Sequence, residues 1–268
     1  MYFIVDFFIF LFGLIIGSFL NAAIYRLSLL DFSFWKSLGG RNRSYCPRCK
    51  HPLAWLDLVP VVSFLLLQGK CRYCHKKISW QYPIVEAISG VLFFGIFNSV
   101  LVKTGLTNFG FLSIIYFWVI FSILIVIAVY DFHHQIIPEL FVWIFNGLAF
   151  LGLFFLSAGK EVFFNWNNFI AGGILFSFFA FLWLVSRGRW MGFGDAKLAL
   201  GIGWLLGMMG GITAITLAFW IGAIVGVALI YLSKNKYGIK SAVAFGPFMI
   251  LGTAISFFWG EKIIGFLF

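Results

Sequence analysis

Residues 111–131 read FLSIIYFWVIFSILIVIAVYD: twenty residues without a charge, then an aspartate. A run of that length and character matches the thickness of a bilayer, because about 20 residues at 1.5 Å rise cross about 30 Å of hydrocarbon. Working outward, similar runs predict further spans at 3–25, 84–102, 139–157, 168–186, 196–209, 212–232 and 246–266. The segment 196–209 is short for a crossing. The chain is 62% hydrophobic and 10% charged, against about 45–50% and about 25% in globular proteins, which excludes a soluble domain. The fold expected is therefore an all-α polytopic membrane protein of about eight transmembrane helices. Its one polar stretch, 26–82, is a small cytoplasmic insert of the four-cysteine zinc type between the first two spans. The expected division is 1–25 first helix, 26–82 insert and 83–268 transmembrane domain.

Charge sets the orientation. The net charge is +10, and if the first span runs inward, sixteen of the nineteen Lys and Arg residues fall on the cytoplasmic side. Ten lie in the insert region, from Arg26 to Lys77. Arg187, Arg189 and Lys197 follow, then Lys234, Lys236 and Lys240; Lys103, Lys160 and Lys262 remain outside. The excess is a topology code rather than a nucleic-acid signal, so the partner expected is the lipid bilayer and no nucleic acid. Both termini are predicted to be external. The first span lacks the basic lead and small-residue cleavage site of a removable signal.

All four cysteines lie in the insert, as Cys46-Pro47-Arg48-Cys49 and Cys71-Arg72-Tyr73-Cys74, two C-x2-C knuckles 21 residues apart. Two such knuckles complete a tetrahedral four-thiolate site of the structural zinc type. Two disulfides are the alternative, and they are rare in the reducing cytoplasm where the topology puts the insert. Arg48, Lys50, Arg72, Lys76 and Lys77 offset the thiolate charge. His51 and His75 follow the knuckles closely but, as polar loop residues, need no ligand role.

Nine acidic residues leave few candidates for chemistry. Glu86 opens the second span and reads equally well as an interfacial anchor, a partner for a loop base, or a functional group. Asp131 closes the third span, Glu139 opens the fourth after Pro138, and Asp195 sits in Gly192-Phe193-Gly194-Asp195-Ala196-Lys197. By topology Asp131 and Asp195 lie at one depth, near the cytoplasmic face, on different spans. That is the requirement for a two-carboxylate catalyst, in which one charged group activates water while its protonated partner polarises a carbonyl. Gly192 and Gly194 would permit positive φ or a close backbone approach to substrate. Asp195 also suits a helix N-cap. Asp131 lies at a helix C-terminus, where the dipole disfavours it and interfacial water would have to solvate it. His133 and His134 read as solvated loop residues.

Taken in order, these residues resemble the type IV prepilin peptidases. The pieces are Gly17-Ser18-Phe19-Leu20-Asn21 running on to Tyr25-Arg26-Leu27, the two knuckles, Pro60-Val61-Val62-Ser63 between them, and Ile78-Ser79 with Tyr82-Pro83-Ile84-Val85-Glu86 after them. Asp131 with Pro138-Glu139, the G-x-G-D-x-K segment from Gly192 to Lys197, and Phe245-Gly246-Pro247-Phe248 complete the set. The resemblance implies an inner-membrane, multi-pass aspartic endopeptidase with Asp131 and Asp195 catalytic and with Gly192, Gly194, Lys197 and Glu139 in support. It implies prepilin or pseudopilin substrates of type IV pilus or type II secretion systems, cut after a glycine at the cytoplasmic face. It further implies methylation of the new N-terminus from S-adenosylmethionine, with Cys46, Cys49, Cys71 and Cys74 as the metal set. Glu139 departs from the Asp often found there. The competing reading is a transport or scaffold protein with a zinc docking module. The acids lie at one face instead of along a path through the membrane, which argues against a relay.

Overall fold

A computed structural model of the protein describes residues 2–29, 44–105, 107–155, 164–232 and 243–267. Lys36, Arg41, Arg43, Lys160, Lys234, Lys236 and Lys240 of the charge pattern lie outside them, as do Asp31 and Glu161. The described chain is helical. Its elements are α1 (Tyr2–Leu29), a short α2 (Val62–Leu66), α3 (Gln81–Thr104), α4 (Asn108–His134), α5 (Glu139–Phe155), α6 (Trp166–Ser186), α7 (Phe193–Leu232) and α8 (Gly246–Leu267). Two isolated β-bridges, Tyr45 with Pro52 and Lys70 with Lys77, are the extended pairings among the described residues.

Five of these helices, α1, α3, α4, α6 and α7, are long and apolar enough to cross a membrane; α5 is apolar but shorter. Many of their large apolar side chains face outward, among them Phe3, Ile174, Phe181 and Ile224, as lipid contact requires. The expected sixth and seventh spans are two halves of α7. At 40 residues this helix would measure about 60 Å, twice a bilayer. It breaks at Gly207, where φ is 72° and ψ −173°. A Cβ there would stand 2.6 Å from Asn168 Oδ1, so both the backbone angles and the neighbouring side chain call for glycine. With the break counted, each expected span corresponds to a helical segment.

The chain divides into two compact units, Met1–Val126 and Ile127–Phe268, with the boundary inside α4. In the first unit α1 packs along α3. Small residues allow the close approach: a Cβ at Gly13 would lie 2.8 Å from Gly90 Cα, and one at Gly17 would lie 2.7 Å from Glu86 Cα. Asn21 Nδ2 donates to the Tyr82 carbonyl at 3.1 Å. From α4, Trp118 stacks on Phe93 at 4.9 Å and donates its indole N–H to the Phe93 carbonyl.

In the second unit α7 is central, packing against α5, α6 and α8. Ala196, Leu198, Ala199, Ile202, Ala214 and Ala218 of α7 are fully buried. Polar side chains of its neighbours fix it along its length. Asn146 donates to the Lys197 carbonyl at 3.0 Å, Asn168 to the Trp204 carbonyl at 3.1 Å, and Ser256 to the Gly210 carbonyl at 2.7 Å. Such bonds supply the specificity that uniformly apolar surfaces lack in lipid.

Candidate active site and metal centre

Asp131 occupies the last turn of α4, which ends where Gln135 turns left-handed (φ 54°). The residue is 4% exposed, so interfacial water does not solvate it. The compensation comes instead from the backbone N–H of Gly246, which donates to Asp131 Oδ2 at 3.1 Å. Gly246 is the first residue of α8, and its N–H is one of the orphan donors at a helix start. The positive end of α8 therefore faces the carboxylate.

Asp195 lies in the first turn of α7 and is 6% exposed. The helix begins at Phe193, so Asp195 is its third residue and not the cap that sequence allowed; its own N–H donates to the Gly192 carbonyl at 3.2 Å. The negative charge still sits at the favourable end of the helix. Gly246, which donates to Asp131, and Gly194, which precedes Asp195, both stand against Ile137, so the structure places the two expected carboxylates on either side of one residue. They meet where the N-termini of α7 and α8 converge.

Ile137 fills the space beside them. A Cβ at Gly194 would stand 3.0 Å from Ile137 Cβ, and one at Gly246 would stand 3.5 Å from Ile137 Cδ1 and 2.5 Å from Asp131 Oδ2. Positive φ is not the reason for the glycines of the signature, since neither Gly192 nor Gly194 is left-handed. Gly194 packs closely on Ile137, and a side chain there would press against it. Gly192 is less crowded: the nearest atoms to a Cβ there, including Asp195 Oδ2, would be 3.8 Å away.

Lys197 and Glu139 pair with each other. Lys197 Nζ donates to Glu139 Oε1 at 2.5 Å and lies over the Trp143 and Phe193 rings, 5.8 and 5.5 Å from their centroids. The lysine side chain is 17% exposed and the glutamate 70%. The pair ties the start of α5 to the start of α7. Both residues are among the expected supporting groups, but their contact, and the parts played by Gly246 and Ile137, emerge only in the structure. Phe245-Gly246-Pro247-Phe248 was the available signal for Gly246. His133 and His134 lie against Phe132 and Tyr130 respectively, and among the described residues neither belongs to a metal-capable cluster.

In the first unit the four cysteines converge, with all sulfur atoms within 4.8 Å of one another. A tetrahedral site with Zn–S bonds of about 2.3 Å separates its sulfurs by about 3.8 Å, so the set fits such an ion. The two knuckles have the same backbone design. The Cys46 and Cys71 carbonyls accept from the Lys50 and His75 N–H groups, and the Cys46 and Cys71 N–H groups donate to the His51 and Lys76 carbonyls. Lys50 and His75 are both left-handed, at φ 57° and 54°. His51 stacks on Tyr73 at 3.7 Å and is outside the ligand group.

Burial opposes ionisation of Cys46, but the Cys49 and Arg48 N–H groups and the neighbouring thiols outweigh it and hold its pKa at about 7. The His51 N–H favours the Cys49 thiolate, yet desolvation and the charge on Cys46 push that thiol up to about 11. Ionising one of these clustered thiols disfavours ionising the next, and a divalent cation relieves that repulsion. Asp57 buttresses the second knuckle. It accepts from Arg72 Nε at 2.7 Å, the Ala54 N–H at 3.1 Å and the Tyr73 hydroxyl at 3.2 Å.

Residues 11–100 match the family model described as the bacterial peptidase A24 N-terminal domain, and residues 118–227 match that of the type IV leader peptidase family. A prepilin leader peptidase/N-methyltransferase of Aeromonas salmonicida (strain A449) is 31% identical over 283 residues, covering 95% of this chain and 91% of the relative. Its counterpart in Bacillus subtilis (strain 168) is 30% identical over 261 residues, with 96% of each covered. One from Legionella pneumophila is 30% identical over 281 residues, with 95% and 91% covered. No solved structure matches.

Proposed function

Since the chain belongs to the type IV leader peptidase family, we propose that it cleaves the leader from prepilins or pseudopilins at the cytoplasmic face of the inner membrane and then methylates the new N-terminus. The observation that carries the peptidase half is the buried pairing of Asp131 and Asp195 at two converging helix starts. Two adjacent carboxyls share a proton because both cannot be charged at low cost. The ionised member takes a proton from water as its oxygen attacks the scissile carbonyl. The protonated member donates to the carbonyl oxygen, and the resulting diol collapses with a proton passed to the leaving amine.

The remaining residues position these groups. The Gly246 N–H orients Asp131, Ile137 sets the spacing of the loops, and the Lys197–Glu139 pair holds the starts of α5 and α7. A substrate helix in the bilayer, with a polar leader on the cytoplasmic side, would present its scissile bond at the depth of the dyad. The charge distribution supports that orientation, with both termini external and the cysteine module cytoplasmic.

Cys46, Cys49, Cys71 and Cys74 would hold zinc, which in a closed four-thiolate site supplies structure rather than chemistry. The methyl donor is S-adenosylmethionine. The chain carries no glycine-rich loop of the soluble methyltransferase kind, so the donor is bound by other means. Asp131→Asn and Asp195→Asn are each expected to lower leader cleavage at least about 10³-fold while leaving membrane insertion intact. Normal processing by either variant would refute the assignment.

A further inference from the structure

Three motifs of the first unit take no part in the chemistry of the dyad: Gly17–Asn21, Pro60–Ser63 and Tyr82–Glu86. They meet at one carboxylate. Glu86 is 6% exposed and, like Asp131 and Asp195, is buried within the helices. Its Oε2 accepts the Val61 N–H at 2.7 Å. Gly17 admits the Glu86 backbone at close range, and Asn21 holds the Tyr82 carbonyl one turn away. A buried charge is costly in a membrane helix unless it has such partners.

Val61 is the unusual member. Its φ is 58° and ψ −49°, a conformation that a β-branched residue does not hold unaided. The Glu86 carboxylate fixes its N–H in that geometry. From Val61 the chain enters α2 directly, and Phe64 of α2 packs on Trp80 at 5.0 Å. Gly69 donates its N–H to the Phe64 carbonyl and accepts from the Ile78 N–H, two residues before Cys71. A continuous set of contacts thus leads from Glu86 through Val61 and α2 to the second knuckle.

We propose that Glu86 is a positioning residue that clamps the four-cysteine module to the α1–α3 pair, and that through the module it serves methyl transfer and not cleavage. The second part rests on the function proposed above. Its basis is location: Glu86 and the cysteines belong to the first unit, whereas Asp131, Asp195 and the Gly246 donor belong to the second.

The test uses the full-length protein in detergent or nanodiscs, with Glu86→Ala, Val61→Gly and Val61→Pro. Glycine keeps the N–H and adopts positive φ freely, whereas proline lacks the donor and fixes φ negative. Two quantities are read: the ratio of methylated to cleaved product, and the rate at which a maleimide labels the cysteines after metal removal. Glu86→Ala and Val61→Pro are expected to lower the ratio about tenfold and speed labelling, with Val61→Gly close to wild type. Unchanged ratio and labelling in Glu86→Ala would overturn the proposal, as would parallel loss of both activities in a folded protein. If Glu86→Ala fails to accumulate, the Val61 pair decides, and equal behaviour of the two overturns it. A wild-type protein that cleaves no prepilin would defeat the proposed function instead, while the labelling contrast between Val61→Pro and Val61→Gly would still judge the clamp.

Discussion

A carboxylate at the C-terminal end of a helix, shielded from water, needs a donor, and Asp131 finds it in the backbone of a residue 115 positions later. That dependence makes Gly246 as consequential as a side chain. Gly246→Ala would put a Cβ 2.5 Å from Asp131 Oδ2, so the variant is expected to lower kcat at least about tenfold with little change in expression, measured with purified enzyme and a prepilin. Lys197 acts at one remove. Its pairing with a largely exposed Glu139 is worth no more than about 1 kcal/mol, so a Lys197→Met, Glu139→Gln double-mutant cycle on thermal stability should show coupling below that value. Scarcity of charge made Asp131 and Asp195 legible, because few acids had to be considered. Gly246 was not legible as a donor, since a backbone N–H leaves no trace in residue type. Glu86 stayed undecided for the same reason: its partner is the Val61 N–H, not the loop base that sequence suggested.

Among elements, α7 and the cysteine module respond to different stresses. At Gly207 an alanine would have to hold φ near 72° while meeting Asn168, and Gly207→Ala is expected to destabilise the second unit by about 1–3 kcal/mol in a denaturant titration. The module is sensitive to acid. Burial opposes the charge on Asp57, but the Ala54 N–H, Arg72 and Tyr73 outweigh it and hold its pKa below the usual carboxylate range. A lowered folded pKa contributes stability above the unfolded value of about 4 and loses it as pH falls through the folded value. Protonation of the thiolates acts in the same direction by releasing metal. Acidification or chelation should therefore increase protease cutting within 44–80 before it affects helical circular dichroism; simultaneous loss of both would contradict a separately stabilised module. The spacing of the knuckles made this element readable from sequence. The break in α7 was legible only as a span too short to cross, because glycines are frequent in membrane helices and do not by themselves mark a break.

At the scale of the whole chain, hydropathy located the helical segments, but it could not say which packs on which. Lipid-facing and helix-facing surfaces are both apolar, so partner choice rests on small residues and isolated amides such as Gly17, Asn146 and Asn168. The distribution of positive charge leads to an expected orientation in which Asp131, Asp195 and the cysteine module all lie on the cytoplasmic side. A cysteine introduced beside Lys262 should be labelled by an impermeant maleimide from outside the cell, and one beside Arg189 should not; the reverse pattern would invert the topology. The central claim is that Asp131 and Asp195 together cut a prepilin leader. It is tested most directly by co-expressing the wild-type chain, Asp131→Asn or Asp195→Asn with a prepilin and measuring the pilin N-terminus by mass spectrometry. Wild type is expected to give a leaderless, methylated pilin and both variants to leave the leader in place; a processed pilin with either variant would contradict the claim.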